Sequence, residues 1–447
     1  MRISVIGTGY LGAVHAVCMA ELGHQVLGVD TDPGKVAALA AGRAPLYEPG
    51  LAELLFPAVR AGRLRFSTSI DDAARFADLH FVCVGTPQLP GGLGADLSHI
   101  QSVISDLAPR LTRDCLVVGK STVPVGTAER LAARLAELAP PGIVAGLAWN
   151  PEFLREGFAV EDTLRPDRLV VGVANAADDT VLRAVYAQLL QSGTPYITTD
   201  LATAELIKVA ANSFLATKIS FINAMSDVCQ AAGADVVTLA EALGYDTRIG
   251  RRFLSPGLGF GGGCLGKDIR AFISRAGELG VADSVRFLQQ VDEINTGRRT
   301  RAVDIARELA GGSFAGCGIA VLGAAFKPQT DDVRDSPALA VAAAIRAEGA
   351  VVQVHDPRAT DNAMLAHPEL SYARSAFEAC AGADVVLHLT EWSEYRKLDP
   401  AALATAVRTQ RVLDARNVLP LDEWRAAGWI VRSMGAALPV DATPVMA

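Results

Sequence analysis

The sequence has no apolar run approaching the roughly 18 to 20 residues needed to cross a bilayer, so no helical membrane span is expected. It starts on the strand-like MRISVIG, where a secretory signal would carry a charged stretch followed by an apolar one. Both features lead us to expect a cytoplasmic chain with no membrane partner. Basic charge is also short: 41 Lys and Arg stand against 49 Asp and Glu, a formal net charge of -8. A surface that coats nucleic acid by neutralising phosphates is therefore not expected. The seven cysteines, at 18, 83, 115, 229, 264, 317 and 380, are scattered and odd in number, with no C-x-x-C pair. That arrangement fits neither a disulfide framework nor a zinc cluster. The seven histidines show no H-x-x-x-H or similar spacing, so no metal is expected. Cys18 and Cys83 lie in apolar patterns and read as small core residues; His355 and His388 lie in strand-like runs and read as satisfied core or edge residues. No short repeat or low-complexity tract interrupts the chain.

What is present is a globular composition, 50% hydrophobic and 20% charged over 447 residues, which is more than one core usually fills. Residues 1 to about 195 alternate short β-branched strands (ISVIG, QVLGVD, LHFVCVG, CLVVGKST, RLVVGV) with Ala/Leu-rich helical stretches. That alternation is the pattern of a parallel sheet covered by helices. Residues 200 to about 230 read as one long helix ending at a glycine stop, and helical character continues to about 310 around a glycine-rich loop. From 318 a second alternation runs through GIAVLGAAF, PALAVAAAIRAEG, AVVQVHD, ADVVLHL and QRVLDAR. The expected fold class is α/β, with two Rossmann-like doubly wound domains joined by a long central helix. The expected division is 1–200, a central helical and dimerising part at 201–300, and 301–447.

Five motifs carry chemistry. GTGYLG at 7 to 12 follows a strand and opens a helix. There Gly7 allows the tight turn, Gly9 a close approach to a pyrophosphate, and Gly12 tight packing of helix on strand. Asp30 ends the second strand about 20 residues on, where a carboxylate can hold ribose hydroxyls and repel a 2′-phosphate, so the expected cofactor is NAD. KSTVPVGT at 120 to 127 places Thr122 at the C-terminal end of a strand, the side on which open sheets bind ligands; a simple turn or cap role fits it equally well. In NPEFLREG at 150 to 157, Glu152 and Glu156 are four apart and could share one helix face, although by spacing alone a solvated acidic face is the better fit. Lys208 and Asn212 have the same spacing on the long helix, in apolar surroundings where a lysine is costly without a partner or a task. SPGLGFGGGCLGKD at 255 to 268 brings a thiol, Cys264, beside Lys267 and Asp268 in a backbone whose missing Cβ atoms let it wrap a ligand. A nearby cation favours thiolate, and a carboxylate can pass a proton.

These motifs, with PLYEPGL at 45 to 51, VGTP at 84 to 87, LIKVAANSF, FKPQTDDVRDSP at 326 to 337 and DARNVLP at 414 to 420, stand in the order seen in the UDP-glucose/GDP-mannose dehydrogenase family. The chain resembles that family through essentially its whole length. The resemblance implies four-electron oxidation of a primary alcohol on a nucleotide-linked sugar to a carboxylic acid, in two NAD-dependent steps. UDP-glucose is the first choice of substrate; GDP-mannose or a UDP-N-acetylhexosamine is the alternative. A non-catalytic NAD-binding regulatory protein is the remote one, and it predicts a disrupted thiol loop.

By the same likeness Cys264 is the nucleophile, forming a thiohemiacetal and then a thioester. Asp268, through a water near Thr122, takes the alcohol proton; Lys208 and Asn212 steady negative charge on the sugar oxygen; and Glu152 positions or deprotonates the hydrolytic water. Lys35, Leu11, Thr86, Glu156, Lys267 and Arg334 join Gly7, Gly9, Gly12, Asp30 and Thr122 around the cofactor. The nucleotide sugar falls to Glu152, Phe153, Leu154 and Arg155, to the run Phe253, Leu254, Ser255, Pro256 and Gly257 with Gly261, and to Lys327. The second alternation lacks G-x-G-x-x-G and is expected to hold the sugar's nucleotide, not another NAD. Two departures stand out. Gly266 replaces a usual proline and should loosen the catalytic loop, and Ala224 stands where an acidic residue is common. The long helix resembles the family's dimer-forming spine, so a homodimer is expected.

Overall fold

A computed structural model describes residues 1–435. The chain forms two compact units, one made of Met1–Ala211 with Arg270–Ala282, the other of Asn212–Ile269 with the chain from Asp283 onward.

The first unit is built on eight strands: β1 (Arg2–Ile6), β2 (Gln25–Val29), β3 (Leu64–Ser67), β4 (Leu79–Val82), β5 (Cys115–Gly119), β6 (Ala145–Trp149), β7 (Leu169–Gly172) and β8 (Tyr196–Thr199). Their order in the sheet is β3-β2-β1-β4-β5-β6-β7-β8. In β1 and β2 every residue after the first is buried. Helices cover both faces of such a parallel sheet, which is why these strands read as continuous apolar runs without alternation. Chain direction of the strand order reverses beside β1, which pairs with β2 on one side and β4 on the other, and that reversal opens the crevice where doubly wound sheets bind ligands. The sheet is not wholly parallel as expected: β6 and β7 run antiparallel, meeting at Trp149 and Gly172.

The second unit repeats the plan with β9 (Gly318–Leu322), β10 (Val351–His355), β11 (Ser371–Tyr372), β12 (Val385–His388), β13 (Arg411–Asp414) and β14 (Ile430–Ser433), ordered β11-β10-β9-β12-β13-β14. Its core holds Trp392, Trp424 and Tyr395. The helix Pro337–Ala347 starts on proline with Ser336 accepting the Leu339 amide, as the sequence suggests, since proline's missing N–H costs nothing in a first turn. The run GIAVLGAAF is strand only to Leu322; Gly323 turns the chain at φ 117°. The expected C-terminal portion to 447 includes residues 436–447, which lie outside the described residues.

The long helix is Leu201–Ala232, 32 residues, stopped by Gly233 at φ 73°. No helix among the described residues is long and apolar enough to cross a membrane. Cys18 and Cys83 are buried, and burial pushes both thiols up to about 12; they are inert core residues. His388 is buried with Nδ1 2.9 Å from Asp414, and His355 Nδ1 lies 3.0 Å from the Tyr395 hydroxyl.

Candidate active site

In the first unit the glycines of GTGYLG divide their work as the motif demands. A Cβ on Gly12 would sit 1.8 Å from the Gly7 carbonyl oxygen, so the helix could not rest on its strand, whereas a Cβ on Gly9 would meet nothing within 4 Å. The open space at Gly9 faces the N-terminus of helix Tyr10–Glu21, which has no side-chain cap. Its free amides and positive dipole suit a pyrophosphate. Leu11 is in the first turn of that helix. Asp30 follows β2 and accepts the Thr8 amide at 2.8 Å and the Asp32 amide at 3.1 Å, with the Lys35 ammonium 3.3 Å away. Burial alone would raise its pKa, but those amides and Lys35 outweigh it and hold the carboxyl below its usual range. The residues present therefore fit NAD.

Around this crevice, Thr86 is buried and donates to the Thr122 carbonyl at 2.7 Å. The stretch after β6 corrects the expected helix: residues 151 to 157 form loop and turn, so Glu152 and Glu156 share no helix face. The reason is local. The Glu152 Oε1 accepts the backbone amides of Phe153 and Leu154, at 2.9 and 3.1 Å, which bends the chain back on its own side chain. Arg155 is committed to Asp162 through two hydrogen bonds of 2.7 and 2.9 Å. The Phe153 ring lies between the Arg168 guanidinium, 4.0 Å from its centroid, and the Lys208 ammonium, 5.3 Å away. The second of these is a cation–π contact for the mid-helix lysine.

Three buried charged residues in this unit escaped the sequence reading. Glu48, in PLYEPGL, accepts the Gly157 and Ala159 amides at 2.7 Å each and bonds the Tyr10 hydroxyl, tying NPEFLREG to the dinucleotide helix. Glu205, three residues before Lys208, accepts the Gly126 and Ala128 amides, also at 2.7 Å. It caps helix Thr127–Leu138 and so fixes the end of KSTVPVGT. Burial pushes its carboxyl up to about 7, against those two amides. Lys120, the first residue of that motif, is buried within 3.1 Å of Glu152. The available signal was the same for all three: a lone charge inside an otherwise apolar or small-residue pattern.

In the second unit, Cys264 is exposed and immediately precedes helix Leu265–Glu278, whose dipole favours a thiolate at that end. Asp268, 2% exposed, is one turn on. It accepts the Asn212 amide at 2.6 Å and pairs with the Lys267 ammonium at 2.6 Å. Asn212, Lys267 and Asp268 thus form one cluster beside the thiol's helix. Gly266 lies in the first turn of this helix, where proline is also readily accommodated.

The glycine-rich loop is also not a ligand wrap throughout. A Cβ on Gly261 would fall 2.3 Å from the Asp335 carbonyl oxygen, so close packing of protein on protein already requires this glycine, whatever its backbone contributes to a ligand. Arg334 pairs with Asp332 at 2.6 Å, and its guanidinium would be 2.6 Å from a Cβ on Gly263, next to Cys264. Lys327 has its ammonium 5.5 Å from the Phe326 ring centroid. Phe253 has φ 64°, a conformation rarely held without surrounding constraint.

The loop that follows, Pro256 to Phe260, is held by residues that were not singled out. Asn223 accepts the Gly257 amide at 2.8 Å, and the buried Arg298 donates to the Gly257 carbonyl at 3.0 Å. Asn295 bonds both the amide and the carbonyl of Phe260. Arg416 and Asn417, inside DARNVLP, donate to the carbonyls of Gly259 and Pro256 at 3.1 Å each. Ala224 is only partly buried and lies beside Asn223 on the helix; nothing in the structure shows a consequence of its lacking a carboxylate.

The second sheet's counterpart of Asp30 is Asp356, and it is fully engaged. Its carboxylate takes the amides of Ala324, Ala325, Arg358 and Ala359 and the Trp392 indole N–H. A carboxylate with those five donors has no lone pair left for a ribose, which accords with the missing second G-x-G-x-x-G.

Residues 1–190 match the NAD binding domain of the UDP-glucose/GDP-mannose dehydrogenase family, 202–297 its central domain and 320–421 its UDP binding domain. The chain belongs to this family. Its cofactor is accordingly NAD, and it is an oxidoreductase. Among its relatives in the family, the UDP-glucose 6-dehydrogenase of Rhizobium meliloti (strain 1021) is 41% identical, over 97% of this chain and 99% of that one. The UDP-glucose 6-dehydrogenase of Bacillus subtilis (strain 168) is 39% identical, over 97% and 98%. A solved UDP-glucose dehydrogenase from the hyperthermophilic archaeon Pyrobaculum islandicum superposes with a TM-score of 0.90 at 38% identity, covering 98% of each chain.

Proposed function

We propose that this chain is an NAD-dependent UDP-glucose 6-dehydrogenase, converting the C6 alcohol of UDP-glucose to the carboxylic acid of UDP-glucuronate. The observation that carries the mechanism is an exposed thiol, Cys264, at a helix N-terminus, with the Asn212–Asp268–Lys267 cluster one turn away. NAD, when bound, accepts a hydride from the sugar carbon in each of two oxidations.

The chain's own residues do the rest. Asp268, through a water near Thr122, takes the proton of the C6 alcohol as the first hydride leaves. Lys208 and Asn212 stabilise the negative charge on the C6 oxygen. The Cys264 thiolate then adds to the aldehyde carbon, giving a tetrahedral thiohemiacetal that has a hydride to lose; a bare aldehyde must become tetrahedral first. Loss of that second hydride leaves a thioester on Cys264. Glu152 positions and deprotonates a water, whose oxygen adds to the carbonyl carbon while the C–S bond breaks and returns the thiolate. Gly7, Gly9, Leu11, Gly12, Asp30, Lys35, Thr86, Glu156, Lys267 and Arg334 serve the cofactor. The nucleotide sugar is bound by Phe153, Leu154 and Arg155, by Phe253 to Gly257 with Gly261, and by Lys327.

Incubating the protein with UDP-glucose and excess NAD should yield two NADH per sugar, with GDP-mannose and UDP-N-acetylmannosamine giving none. One NADH or none from UDP-glucose sinks this reading. A preference for either other sugar moves the substrate while keeping the chemistry.

The proposal includes the division into 1–200, 201–300 and 301–447, a cytoplasmic location, where NAD and nucleotide sugars are found, and a homodimer. The dimer is supported by one face of helix Leu201–Ala232, where Leu206, Phe214, Phe221 and Val228 are 42%, 67%, 47% and 56% exposed. Spacings of eight and seven residues keep them on one side of a helix, and large exposed apolar stripes mark interaction surfaces. The parent should elute at twice the chain mass in light scattering, and Phe214→Glu with Phe221→Glu should elute as a monomer. An unchanged mass excludes this face from the interface.

A further inference from the structure

The strongest unassigned group in the first unit is the Lys120 ammonium. Its side chain is 3% exposed, and burying an ammonium is costly unless it is paired and hydrogen-bonded. Among the described residues its one ionic partner is the proposed hydrolytic carboxylate. The ammonium is 3.1 Å from the Glu152 Oε2 and donates to the Asn150 Oδ1 at 3.0 Å. Asn150 is itself locked, its Oδ1 accepting the Tyr186 hydroxyl at 2.6 Å and its Nδ2 donating to the Val170 carbonyl at 2.8 Å. Burial opposes the charge on Lys120, but the Glu152 carboxylate beside it outweighs that and raises its pKa, so the lysine stays an ammonium. Burial also pushes the Tyr186 hydroxyl up to about 12, so it remains a donor.

The consequence falls on Glu152. Its Oε1 is held by the amides of Phe153 and Leu154, and its Oε2 by Lys120. A carboxylate with three fixed donors cannot rotate, and its 18% exposed remainder is the part left to face a water.

We propose that Lys120 is a positioning residue for the hydrolysis step: it fixes the Glu152 carboxylate that activates water against the Cys264 thioester. This rests on the functional reading above. No new bond is involved. The water proton goes to Glu152, the water oxygen joins the acyl carbon, and the sulfur leaves as thiolate.

The test compares Lys120→Met, Lys120→Arg, Glu152→Gln and Lys120→Met/Glu152→Gln with the parent, reading kcat, KM for UDP-glucose and the intact mass of enzyme quenched during turnover. Lys120→Met should lower kcat about 100-fold, in the range typical of lost acid–base assistance, and leave KM within about threefold. It should also accumulate a Cys264-linked uronyl adduct. Lys120→Arg, which keeps the charge, should recover at least about a tenth of parental kcat. The double variant should be no slower than Glu152→Gln alone, because the lysine acts only through that carboxylate.

Parental turnover in Lys120→Met overturns the assignment. So does a loss without adduct, or a double variant far slower than Glu152→Gln. If Glu152→Gln accumulates adduct and Lys120→Met does not, only the role of Lys120 fails; if neither does, the hydrolytic role of Glu152 fails with it. Should Lys120→Met not fold, Tyr186→Phe decides: adduct build-up supports the chain of contacts, and wild-type turnover overturns it.

Discussion

Cys264→Ala should reduce UDP-glucuronate formation by at least about a thousandfold while NAD affinity stays within about threefold of the parent. The size of the effect follows from the second oxidation. Hydride can leave only from a tetrahedral carbon, and Cys264 is the one exposed thiol among the described residues: Cys18, Cys83, Cys229 and Cys380 are buried, and Cys115 and Cys317 are only partly exposed. The sparing of NAD follows from what the substitution leaves intact, since the uncapped helix N-terminus at Gly9 and the Asp30 carboxylate keep their own contacts. Product measured by ion-exchange chromatography and NAD binding by calorimetry decide the matter. Acid formation at the parental rate refutes the covalent route, and loss of NAD binding together with loss of acid formation points to a structural role for Cys264.

Asp268→Asn is expected to slow the first hydride transfer by about 100- to 10,000-fold, the usual range for a removed general base. The substitution keeps the shape of the side chain but turns a charged acceptor for Lys267 and Asn212 into an amide. Breaking a buried ion pair by removing one partner costs about 3 to 5 kcal/mol when both ends are dry. Lys267, 18% exposed against 2% for Asp268, can turn to water, so the destabilisation should fall at or below the low end. A folded protein with slow chemistry is the expected outcome. Single-turnover absorbance at the NADH band separates the first step from the rest, and a melting curve reports the stability. A parental burst rate in a folded variant removes Asp268 from the proton path.

Much of this architecture was legible in the chain because it rests on local rules. Strand β1, the glycine turn and Asp30 lie within 30 residues, and each has a requirement that one residue type meets: no side chain at Gly12, open space at Gly9, a short carboxylate at the strand's end. The long helix and its stop at Gly233 were readable for the same reason. NPEFLREG was misread because two glutamates four apart look alike on a helix face and in a loop. The turn of Glu152 back onto the next two amides is a side-chain-to-backbone competition that spacing does not reveal.

Residues that hold the catalytic loop were silent for a different reason. Arg416 reaches the Gly259 carbonyl across 157 positions, and Asn417 reaches that of Pro256 across 161. The glycines of that loop suggested a ligand's approach, yet at Gly261 the neighbour is the backbone of Asp335.

By itself, then, the sequence determined the chemical inventory and its order: an NAD turn, a thiol, a lysine and asparagine on one helix, and carboxylates at set spacings. Only the tertiary structure decided which carboxylates are engaged by protein groups. Glu48, Glu205 and Asp356 accept backbone amides from distant segments, Asp268 meets Asn212 and Lys267, and Glu152 meets the buried Lys120. Spacing along a helix or strand sets which side chains are neighbours within an element. Burial and charge pairing depend on what another element brings, and the inventory of residues does not contain that information until the chain is folded.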